Sequence, residues 1–108
     1  MELPVEIETQ DKALGSSWSL NTFVQLTDGV ELKYLGPRLA KAHGIPEALR
    51  FIVHITEELD LALAATALYD KFKDKSISRI VINRRVVTNI TKEGIQQVLE
   101  ENIHIGKE

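Results

Sequence analysis

The segment Leu61–Tyr69, "LALAATALY", constrains the fold more than any other stretch of the chain. It is bracketed by Asp60 and Asp70, carries no charge, and has Thr66 as its only polar side chain besides the tyrosine hydroxyl. A helix here presents Leu61, Leu63, Leu68, Tyr69 and four alanines, which together cover every side. Surface helices normally keep one charged side, whereas a helix apolar all round is covered on more than one side. A single sheet covers one side only. The second cover is expected from the N-terminal segment or from another chain. Alanine-rich faces allow close helix approach, and burying ~500 Å² of apolar surface contributes about 12 kcal/mol before association costs. The contact residues expected on this basis are Leu61, Ala64, Ala65 and Leu68. Nine residues fall far short of the ~20 needed to span a bilayer, so no membrane partner is expected.

What precedes this helix reads in two ways. Pro46 could open one helix running to Lys75, or "LRFIVHI" is a strand and Thr56 caps a new helix. Ile52, Val53, Ile55 and Thr56 are β-branched and Phe51 is aromatic, which favours the strand. Glu57, Glu58 and Asp60 then suit the positive end of the helix dipole, and Lys71, Lys73 and Lys75 the negative end.

Period-two alternation of Leu3, Val5 and Ile7 against glutamates predicts a strand over 1–9, placed at a sheet edge. Residues 17–36 fit either a hairpin turning at Asp28-Gly29 or a helical face of Leu20, Phe23, Val24 and Thr27; the hairpin is preferred. "GPRLAKAHG" reads as a short helix from Pro37 to His43. "SISRIVINRRVVTNI" reads as two strands turning at Asn83-Arg84, although arginine suits the required backbone poorly. Thr91 caps a last helix with Ile95, Val98, Leu99 and Ile103 on its apolar face, and 104–108 reads as a frayed tail. The fold class expected is α+β: one compact domain whose C-terminal half runs β-α-β-β-α, with a mixed sheet packed against two main helices. A right-handed crossover would set strands 49–55 and 77–82 parallel.

Composition excludes several function classes. The chain has 108 residues, enough for a core without staples, and a net charge of −3 that gives no global drive toward nucleic acid. Cysteine is absent, which removes thiolate chemistry and disulfides and fits a reducing, cytoplasmic setting. The N-terminal residues "MELPVEIETQ" lack the basic start of a secretory signal. The glycines never reach G-x-G or P-loop spacing, and "LGSSWS" lacks the second glycine of a nucleophile elbow. No cofactor is expected.

Two clusters stand out. His54 and Glu57 form H-x-x-E, part of an inverted zincin signature, but Glu58 stands where that signature needs a second histidine. A histidine beside a charged helix start is the better reading, and a small enzyme using His54 with Glu57 or Glu58 is the least favoured class. From Lys71 to Arg85 the chain holds six basic residues and one acid: Lys71, Lys73, Lys75, Arg79, Arg84 and Arg85 against Asp74. This edge suggests a nucleic-acid-binding accessory protein as the alternative, or a polar rim that discourages strand pairing. The reading preferred is a non-enzymatic, self-associating or adaptor protein, a homodimer or bound to another protein. An accessory part of a bacterial multi-component system is the setting expected.

Overall fold

The computed structural model describes residues 1–38, 47–56 and 59–106. Its element order is β1 (Glu2–Thr9), α1 (Lys12–Ser16), β2 (Phe23–Thr27), β3 (Val30–Arg38), β4 (Glu47–Ile55), α2 (Leu61–Phe72), β5 (Ile77–Ile82), β6 (Arg85–Val86) and α3 (Lys92–Gly106). The strands form one six-stranded sheet in the order β2-β3-β4-β1-β5-β6, and every ladder is antiparallel. The class is α+β, as the element pattern implies.

Two expectations about the sheet are corrected. β1 is central, with β4 on one side and β5 on the other. Its alternation of Leu3, Val5 and Ile7 with glutamates does mark one buried face, but alternation reports faces and not neighbours. The sheet is also not mixed. β4 and β5 run in the same direction, since both pair antiparallel with β1, yet β1 lies between them and no parallel ladder forms.

The β-branched run does make a strand, and a separate helix follows it. Asp60, not Thr56, is the cap of α2: its carboxylate accepts from the Ala62 N–H at 2.9 Å. Lys71 lies in the last turn of α2 and Lys73 is its C-cap. The hairpin β2–β3 turns at Asp28-Gly29, where Gly29 takes a φ of 85°. The β5–β6 turn holds Asn83 and Arg84 at φ 49° and 69°, so arginine does occupy a left-handed position. Thr91 caps α3 by accepting from the Gly94 N–H at 3.0 Å. That helix continues to Gly106, so residues 104–106 belong to it; 107 and 108 lie outside the described residues.

Pro37 and Arg38 extend β3 instead of starting a helix. A proline fits there because the ladder shifts between Tyr34 and Gly36, and β2 has already ended opposite Lys33. The remainder of the expected helix, 39–43, lies outside the described residues.

The core lies on one side of the sheet. Leu3, Val5, Ile7, Leu32, Phe51, Val53, Ile80 and Ile82 meet Ala64, Ala65, Leu68 and Phe72 of α2 and Ile95, Val98 and Leu99 of α3. The opposite face carries the alternate residues and is mainly polar, with Glu2, Glu6, Glu31, Lys33, Arg50, His54 and Arg79 among Pro4, Phe23, Ile52 and Val81.

Candidate interaction surface

Three of the four expected contact residues are core residues of the chain's own fold. Ala64 and Ala65 are 0% exposed and Leu68 is buried, while Leu61 is only partly buried. The small side chains do allow close approach, but the elements that approach are the sheet and α3, with which α2 packs closely. Residues with no accessible surface have none to offer a partner, so that patch is corrected. The second cover of the apolar helix is α3 on one side. Among the described residues its third side stays open.

That open side holds Leu63, which is 56% exposed, with Thr66, Ala67, Asp70 and Lys71. Together with Leu26, Thr27, Asp28 and Leu59 these residues line an open groove of about 640 Å³ between α2 and the β2–β3 hairpin. Leu26, Leu59 and Ala67 pack on the core from this groove and are only partly buried. Among the described residues the six-stranded sheet carries two long helices, and the part beyond α2 receives the short α1 and its neighbour Trp18. Trp18 sits edge-on to Phe51 at 5.1 Å and stacks near Phe72 at 6.5 Å, with the Lys71 ammonium 5.0 Å above its ring.

The same flank contains β2, an edge strand. Its residues Phe23 and Val24 are 40% and 37% exposed, and Leu20 just before it is 60% exposed. With Leu63, they make four of the five large apolar side chains exposed among the described residues; Val86 is the fifth. None of these four was among the expected contact residues. A signal was present: "FVQLT" is an uncharged strand beside a glycine turn, and Leu63 and Ala67 sit one turn apart, off the Ala64–Leu68 face.

The basic residues do not form one surface. Arg85 pairs with Glu101 at 3.0 Å across to α3, and Lys73 pairs with Asp70 at 3.7 Å. Lys71 and Lys75 line a hollow with Leu14, Ser17, Trp18 and Val24, at the β2 flank. Arg79 sits on β5 opposite Glu8, and Arg84 lies in the β5–β6 turn beside Pro4, Leu35, Arg50 and Val81. Residues contiguous in the sequence therefore point to separate parts of the molecule.

His54 projects from the polar face of β4, where it pairs in register with Glu2 and Glu31. Its Nδ1 is 3.5 Å from a Glu2 carboxylate oxygen, and its ring meets Phe23 edge-on at 6.4 Å. Glu57 and Glu58, its expected partners, lie outside the described residues. Among the described residues no group of three or more histidine and carboxylate side chains is placed to hold a metal ion, and no helix is long and apolar enough to cross a membrane.

No protein-family model, no curated protein and no solved structure matches this chain. The described residues define an antiparallel α+β domain with apolar side chains exposed along its β2 flank.

Proposed function

We propose that the protein works through protein contacts, as a small self-associating accessory protein, and that its contact surface is the β2 flank. The observation supporting this reading is the exposure of Leu20, Phe23 and Val24 along the edge strand β2 and of Leu63 in the groove between α2 and the β2–β3 hairpin, Phe23 on the polar face of the sheet and Val24 on the helix side, while the rest of the described surface exposes only Val86 among large apolar residues. Scattered exposed leucines need no explanation, but apolar side chains concentrated beside a groove and a free strand mark an interaction site.

The test is the solution mass of the purified chain by light scattering across a concentration series. A dimer or larger species supports self-association. A monomer at every concentration contradicts it.

A further inference from the structure

We infer that two copies of the chain join through their β2 strands, as an antiparallel pair around a two-fold axis at Val24. This rests on the self-association reading and adds the mode of contact. Three observations on this flank converge on it.

The backbone is the first. The Thr56 N–H donates to the Gly29 carbonyl, which makes Val30 and Ile55 a pair that does not exchange hydrogen bonds. Alternation along β3 then directs Leu32 toward β2, where it bonds its register partner Val24. Phe23 and Gln25 consequently direct their N–H and C=O groups outward, and no strand among the described residues pairs with that side. With the axis at Val24, Phe23 of each copy meets Gln25 of the other, and both outward pairs of groups are satisfied. The register shift between Gln25 and Thr27 ends the regular ladder there, so the pairing centres on 23–25.

Side chains are the second. "FVQLT" contains no charge and no proline, so the irregularity after Gln25 and the strand's short length are the devices it has against self-pairing. Val24 meets Val24 of the second copy at a non-hydrogen-bonded position, where cross-strand side chains lie closest.

Charge is the third. The Lys33 ammonium lies 4.8 Å over the Phe23 ring. On the same face Gln25 stands in register with Glu31, and its amide donates to Asp28 at 3.2 Å. Placing Phe23 opposite Gln25 of the second copy puts the Lys33 ammonium, held over Phe23, on the same row as that copy's Gln25, Asp28 and Glu31, with the Lys33 and Glu31 backbones about 14 Å apart across three strand spacings, so the two charge patches attract across the contact, twice by symmetry. On the helix side Lys71 and Lys75 flank Val24 and oppose the contact by like charge, so the association is reversible and concentration-dependent. An isologous two-fold contact of this kind closes on itself and does not propagate into fibres.

The chain has no cysteine, so a single introduced thiol reports the axis directly. Val24→Cys places two thiols across a pair with Cα atoms about 4.5 Å apart, within disulfide range. Mild oxidation is expected to link this variant into a dimer, while Val86→Cys at the other sheet edge stays unlinked. Lys33→Glu is expected to weaken the dimer at least tenfold by light scattering, and Glu31→Lys added to it to restore association. A dimer by mass that neither cross-links in the Val24→Cys variant nor responds to Lys33→Glu would overturn the β2 pairing and leave self-association standing. A chain that stays monomeric would overturn both.

Discussion

At one edge of the sheet β6 is two residues long, follows Asn83 and Arg84 in a tight turn, and is tied to α3. The ties are the Arg85–Glu101 pair at 3.0 Å and the Asn83 amide donating to Asn102 at 2.7 Å. At the other edge β2 is five residues long and uncharged, and among the described residues α2 approaches it only across an open groove. Both edges present unpaired backbone groups, which is a liability unless something covers or charges them. The β6 edge is short, arginine-flanked and docked. The β2 edge has only a bulge. The difference is what supports the proposal that a partner acts at the β2 edge.

The comparison can be broken most sharply at α2. Ala64→Arg forces a guanidinium between the sheet and α3, where leaving a charge unpaired costs about 3–5 kcal/mol or more. Loss of cooperative unfolding by circular dichroism is expected. A variant that stays folded and merely loses its partner would return the interface to the inner face of the helix.

The two flanks should also differ in stability. Leu99→Ala, in the fully covered α3 half, is expected to cost about 2–5 kcal/mol in denaturant melts. Leu26→Ala, half-covered in the groove, should cost about 1 kcal/mol, because much of its area stays in water in either state. Equal costs would mean the groove is as well packed as the core.

A buried polar contact anchors the β1–β5 side. Thr9 is buried, and its hydroxyl donates to the Lys75 carbonyl at 2.8 Å while accepting from the Asp11 N–H at 3.0 Å. Thr9→Val strands both groups and should cost about 1–3 kcal/mol by the same melts.

The smallest effect has the opposite sign. Arg84 sits at φ 69°, where a side chain is strained, so Arg84→Gly should gain up to about 1 kcal/mol. That variant also removes a charge from the guarded edge. If it begins to self-associate through β6, the arginine is there to prevent pairing; if only stability changes, the short strand and its ties to α3 suffice.

Much of the fold was legible because local chemistry decides it. The β-branched run over 52–56 separates strand from helix, glycine at 29 permits the hairpin turn, and Thr91 caps α3. The strand order was not legible. The alternation in β1 reads the same for a central and an edge strand, and only tertiary pairing sets β4 and β5 on either side of it. The cap of α2 was missed because Thr56 and Asp60 both fit the cap chemistry, and the backbone turns at the second. The exposed β2 flank was missed for a related reason. An all-apolar helix announces that more than one side is covered, but not which side the chain covers itself. Ala64, Ala65 and Leu68 were the most apolar choice, and α3 and the sheet take them. The basic stretch dispersed because a helix end, a strand and a turn carry its members in different directions.

The most direct measurement is the solution mass of the parent chain beside those of Val24→Arg and Val86→Arg, across one concentration series. Both residues are exposed, so neither variant should disturb the core. The account predicts a monomer for Val24→Arg and an unchanged dimer for Val86→Arg. The reverse pattern, or two unchanged dimers, would contradict it.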